Sequence, residues 1–175
     1  LPVLAALMWV VVQKSYAVER LTGFLAPEPG GQVFQSLVAI SSGGLTGQGL
    51  GNGVMKLGYV PEAPNDFIFA MIGEEWGLLG VIFLVALYMG IVLVGFRIAS
   101  RAPDLFGELL ALGFTNLIAL HALLHMSVGL SLVPPTGLAL PLVSWGRSSL
   151  VVTLAAIGVI ISVARSAPGG KAARA

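Results

Sequence analysis

No cysteine occurs among the 175 residues. Disulfides, thiolate-held zinc and thiol catalysis are therefore excluded. Charge is scarce as well: only 10% of residues are Asp, Glu, Lys or Arg, against about a quarter in a soluble domain. The net charge is +1, and no basic run or aromatic-basic interleaving offers a footprint for nucleic acid. The glycine-rich run from Gly47 to Gly53 lacks a Lys-Ser/Thr ending and any βαβ surroundings, so it is no nucleotide-binding loop.

Apolar residues fill the space that charge leaves. They make up 57% of the chain, and the mean hydropathy is +0.95, the balance of a membrane protein. The first apolar run, 1–12, is followed at once by Gln13 and Lys14. It is shorter than the roughly 20 residues a spanning helix needs, and it lacks a cleavage site. It reads as the end of a transmembrane helix, in the C-terminal piece of a larger polytopic protein. Three full spans are expected over 67–96, 105–128 and 142–164. The fold class is thus all-α and polytopic, since only helices satisfy their own backbone in lipid without closing a barrel.

A long connection, 13–66, separates the partial helix from the first full span. Within it the stretch 32–40 is too short to cross a bilayer, which marks it as a re-entrant or interfacial helix. Arg97 and Arg101 sit in the turn after the first span, and Arg165, Lys171 and Arg174 lie in the tail 165–175. By the positive-inside rule that turn and the tail are cytoplasmic. The long loop then lies on the outer face.

Three of the chain's eight acids, Asp66, Glu74 and Glu75, fall within ten positions at the mouth of the first span. An acid in or beside lipid must repay a large desolvation cost, which makes such residues functional candidates. Asp66 has an ordinary reading as a helix N-cap and a sharper one as a proton acceptor at the membrane surface. Glu74 and Glu75 lie roughly 12–14 Å further along a regular helix, turned by about 80° and 180°. They cannot pair with Asp66 on one helix face and read as structural or cavity-lining groups. His121 and His125 have the i,i+4 spacing of two metal ligands. No acid lies within a turn of them, so interhelical hydrogen bonding is the better reading. Arg147, near the outer end of the last span, either snorkels to the headgroups or contacts an anionic pyrophosphate.

Two blocks carry a resemblance. The first runs from Gln35-Ser36 through Gly43-Gly44-Leu45, Gly47, Gly49, Gly51-Asn52, Lys56, Tyr59 and Pro61-Glu62-Ala63 to Asp66-Phe67-Ile68-Phe69-Ala70 and Gly73-Glu74-Glu75. The second is Pro134-Pro135-Thr136-Gly137, Leu140-Pro141 and Ser144-Trp145-Gly146-Arg147-Ser148-Ser149. Together they resemble the SEDS family of cell-wall proteins, the RodA, FtsW and SpoVE group, across nearly the whole chain. The resemblance implies helices seven to ten of a ten-helix membrane fold, with the large extracytoplasmic loop between seven and eight.

It also implies a peptidoglycan glycosyltransferase in the bacterial cell membrane that polymerises lipid II, with a class B penicillin-binding protein as its transpeptidase partner. Asp66 matches the family's essential Asp and becomes the general base of an inverting transfer. Substrate contacts fall to Lys56, Glu62, Thr136, Ser144, Arg147 and Ser148. No metal ligand is assigned, although a divalent cation, magnesium or manganese, is the cofactor that would assist pyrophosphate departure. Four positions depart from the family pattern: Pro64 and Asn65 precede Asp66, Trp145 replaces a Tyr, and Arg147 replaces a Gly. A lipid II flippase using Glu74 and Glu75, or a non-enzymatic scaffold of division or elongation, are the competing readings.

Overall fold

The computed structural model describes residues 22–26, 31–53 and 67–166. The expected partial helix 1–12, the tail beyond residue 166, and Lys56, Glu62 and Asp66 lie outside the described residues. Among the described residues the structure is helical, with a single turn at 22–25 followed by four helices. These are α1 (Gln32–Gly43), α2 (Ile68–Ala99), α3 (Leu105–Gly129) and α4 (Arg147–Ser166). The last three are long and apolar enough to cross a membrane.

Each spanning helix has one end whose side chains suit its dipole. Asp104 caps α3, its carboxylate accepting from the Gly107 N–H at 3.1 Å, with Glu108 in the first turn. Arg97 and Arg165 stand in the last turns of α2 and α4, where a cation faces the negative helix end. Small residues let the helices approach. A Cβ at Gly95 of α2 would lie 2.2 Å from Thr115 Oγ1 of α3, so the two backbones meet there. Ala99 and Ala111 pack with Val163 at the end of the bundle that holds Arg97 and Arg101. Ile118, Ala156 and Ile160 join α3 to α4 nearer the middle.

Helix α1 has 12 residues, about 17 Å by helical rise, well short of a span. It lies against the start of α2 through Ala39, which packs with Phe67, Ala70 and Met71. Its three serines turn inward on their own helix, each donating to the carbonyl three residues back. That satisfies the hydroxyls without partners from elsewhere.

The first span differs from the expected continuous helix. Gly77 takes φ 65°, ψ −159° and breaks α2. A regular helix would have Leu78 donate to Glu74 and Leu79 to Glu75. Instead Leu78 and Leu79 donate to the carbonyls of Gly44 and Leu45, while Gln48 and Gly49 donate to the carbonyls of Glu74 and Glu75. The glycine-rich segment after α1 thus slots into the break and replaces the lost bonds one for one. Side chains have no room at this junction. A Cβ would lie 2.0 Å from the Gly73 oxygen at Gly43, 2.1 Å from the Glu75 oxygen at Gly47, and 2.4 Å from the Gly47 nitrogen at Gly77.

The third span also differs. Helix α4 begins at Arg147, not at 142. Leu142 takes φ 66°, and the N–H groups of Val143 and Ser144 both turn back to the Leu140 carbonyl. These residues close a turn, so regular helix starts only once Gly146 accepts from Leu150.

Candidate active site

The start of α2 is pinned by two aromatic side chains. Phe67 is 1% exposed and Phe69 2%. Phe67 lies among Ala39 of α1, Met71 and Val128 of α3, with Val133 of the following loop beside it. The Phe69 ring covers Gly129, where a Cβ would come within 2.8 Å of its Cδ1. Phe67 occupies the N-cap position of α2, and an apolar ring supplies no capping oxygen. That position therefore falls one residue after Asp66, the residue expected to hold it. The burial of Phe67 fixes the place at which α2 begins. That place adjoins α1, the end of α3 and the loop after it.

Glu74 and Glu75 are both buried and turn toward the glycine segment. A Cβ at Gly53 would lie 2.9 Å from Glu74 Oε2 and 3.2 Å from Glu75 Oε1. The two acids sit just before the break at Gly77, against the docked loop.

The loop 131–146 brings the second sequence block together. After the end of α3, Ser131 takes φ 54° and the chain folds back toward the bundle. Leu140 is 1% exposed, packed in the cluster that holds Phe69, Leu84, Tyr88, Ala122 and Met126. Two side chains tie the backbone beside this plug. Tyr88 of α2 donates its hydroxyl to the Pro141 carbonyl. His125 of α3 meets the Leu138 carbonyl at 2.6 Å through Nδ1. A carbonyl only accepts, so Nδ1 carries the proton. The partner of His125 is a loop, where sequence spacing pointed to a neighbouring helix. Within the loop the Leu140 N–H donates to Ser144 Oγ at 2.8 Å, so Ser144 turns inward and holds the turn.

Helix α4 starts lower than α3 ends. Val163 packs near Gly107, and from there α4 rises about 24 Å to Arg147 while α3 rises about 33 Å to Gly129. Arg147 thus stands roughly 9 Å short of the end of α3, beside a recess that the loop walls. This cavity of about 350 Å³ is lined by His121, Leu138, Pro141, Ser148, Ser149 and Thr153, with others. Thr136, Arg147 and Ser148 are exposed on the loop and the first turn of α4. The first N–H groups of a helix have no partner within it, and together with an Arg they suit an anion. Among the described residues no three His, Asp or Glu side chains gather to hold a metal ion.

The structure thus places Thr136, Ser144, Arg147 and Ser148 on one loop and helix start, with Ser144 facing inward and the other three outward. Tyr88 and His125 are the loop-holding residues that sequence patterning undervalued. A lone tyrosine in an apolar helix was the available signal, because a buried phenol needs a hydrogen-bond partner.

A family model described as cell cycle protein, for FtsW, RodA and SpoVE, matches residues 2–168. The chain is 42% identical over 168 residues to a probable peptidoglycan glycosyltransferase FtsW of Geobacter metallireducens, covering 93% of this chain and 45% of that protein. It is 40% identical over 167 residues to the stage V sporulation protein E of Bacillus subtilis, covering 93% of this chain and 46% of that protein. A solved structure concerning polymerization and crosslinking by a peptidoglycan synthase complex superposes with TM-score 0.65 at 32% identity, over 93% of this chain and 46% of that one. The chain spans about half the length of the relatives it matches. With the family model covering almost every residue, the chain belongs to the FtsW/RodA/SpoVE family of cell cycle proteins.

Proposed function

We propose that the protein is a peptidoglycan glycosyltransferase that joins lipid II units into glycan strands at the outer face of the bacterial membrane. The observation that carries this reading is the 42% identity to a probable peptidoglycan glycosyltransferase FtsW, over a stretch that includes the Asp66-Phe67-Ile68-Phe69 motif. In the proposed step the 4-hydroxyl of an acceptor lipid II attacks the anomeric carbon of the lipid-linked donor chain. The new C–O bond forms as the bond to pyrophosphate breaks, with inversion. Asp66 takes the hydroxyl proton, since a hydroxyl is a poor nucleophile at neutral pH without a base in reach. Negative charge grows on the departing pyrophosphate and must be met by fixed donors. Arg147, Ser148 and the first N–H groups of α4 supply that kind of environment, with Lys56 as a second cation. Thr136 and Glu62 are assigned to substrate contact. Ser144 contributes by holding the loop.

A class B penicillin-binding protein is the partner this reading implies, supported by similarity to a chain of a peptidoglycan synthase complex. The break at Gly77 is the feature that favours the flippase reading, because transporters build sites from discontinuous helices. Here the groups freed by the break are bonded by the docked glycine segment, which leaves the break closed to a passing headgroup. The test is synthesis of glycan strands from lipid II by the purified full-length protein in detergent, where no compartments remain. Strand formation supports the enzyme; transport in vesicles without any strand formation would reject it.

A further inference from the structure

We infer that Tyr88 and His125 are positioning residues that set the loop 131–146, and through it the groups that face the substrate. The inference rests on the proposed transferase reading for its effect on turnover, but the loop geometry stands apart from that reading. The loop carries Thr136 and ends at Arg147 and Ser148, yet none of these holds it in place. Around Leu140, three contacts anchor it to the bundle. Leu140 is sunk in the core, Tyr88 donates to the Pro141 carbonyl, and His125 Nδ1 donates to the Leu138 carbonyl.

The two bonded carbonyls flank Leu140, and their donors come from different spans, α2 and α3. Leu138 and Pro141 both line the recess that Ser148 and Ser149 share. The two bonds therefore fix one wall of that recess against the first turn of α4. The bonds within 140–144 close that turn on itself but do not tie it to a span. The phenol and the imidazole tie it to α2 and α3, one on each side of Leu140. Neither side chain needs to touch substrate. A displacement of about 1 Å at positioning groups is enough to lower turnover by roughly 10²-fold.

The experiment uses the full-length protein made cysteine-free, reconstituted with its partner and supplied with lipid II. His125→Leu removes the donor, while His125→Asn places an amide N–H at the same number of bonds from the backbone. Tyr88→Phe deletes only the hydroxyl. A thiol at Ala139→Cys reports loop position by its rate of maleimide labelling, and a thiol at Ser41→Cys on α1 reports global loosening. The expected result has three parts. His125→Leu and Tyr88→Phe speed labelling at Ala139→Cys but not at Ser41→Cys, kcat and kcat/KM fall together by about 10²-fold, and His125→Asn restores both readouts.

Unchanged labelling at Ala139→Cys would overturn the inference, as would equal acceleration at both thiols. Faster labelling with undiminished turnover would overturn it too. A parent protein that makes no glycan strands would instead reject the transferase reading, and labelling alone would then decide whether the two residues hold the loop.

Discussion

Replacing Gly77 with Ala is the sharpest perturbation of the fold. The residue holds φ 65°, ψ −159°, a region reserved for glycine, where a side chain costs about 1–3 kcal/mol. The new Cβ would also lie 2.4 Å from the Gly47 nitrogen and 2.7 Å from the Leu45 oxygen, so backbone must move apart. Four hydrogen bonds cross that contact, from Leu78, Leu79, Gln48 and Gly49, each worth about 1 kcal/mol net. If the loop is expelled the combined loss is roughly 5–7 kcal/mol; if half the bonds survive it is about 3–5. Either is a large share of the 5–15 kcal/mol typical of a folded domain.

The measurement is unfolding of the full-length protein in mixed detergent micelles, followed by tryptophan emission, with Trp76 beside the break as a local reporter. Gly47→Ala should behave alike, since it meets the Glu75 oxygen at 2.1 Å. Gly90, Gly113 and Gly158 meet nothing within 4 Å, and Ala there should be neutral or stabilise by up to about 1 kcal/mol. A Gly77→Ala protein within about 1 kcal/mol of the parent would refute the docking of loop into helix.

Other contacts give smaller tests. Gly95→Ala should separate α2 from α3 and destabilise by about 1–3 kcal/mol, and adding Thr115→Gly, which clears the facing side chain, should recover part of that loss in the same unfolding assay. Asp104→Ala removes the α3 cap and should cost about 1 kcal/mol, with Asp104→Asn retaining most of it. Arg147→Gln should weaken pyrophosphate stabilisation and lower kcat/KM for lipid II by roughly tenfold or more, whereas unchanged kinetics would remove Arg147 from the site.

Much of the fold was legible because lipid simplifies it. Apolar length alone marked three spanning helices, and the structure contains three helices of that kind. The short helix before them was legible for the same reason. The break at Gly77 was not: the residues from Leu78 onward are as apolar as a continuous span requires, and Glu74 and Glu75 before it read equally well as acids within one helix. Its cause lies thirty residues away, in the backbone of the Gly44–Gly49 segment, which no local pattern reveals. Residues 142–146 misled for a related reason: Leu142 and Val143 look like the start of a span, but the Ser144 hydroxyl closes a turn on Leu140. For the candidate site, the motif blocks pointed to the loop 131–146 and the start of α4. Spacing could not tell that Ser144 faces inward while Arg147 and Ser148 face outward, nor that His125 would find a loop carbonyl.

The central claim is that Asp66 is the general base. Asp66→Asn keeps the side chain's shape but cannot take a proton from the acceptor hydroxyl. The direct measurement is the rate of glycan strand formation from lipid II by the purified full-length variant, alongside its membrane insertion and binding to the partner transpeptidase. The account predicts normal insertion and partner binding with polymerisation reduced by at least about 10²-fold. Strand formation at the parent rate would contradict it.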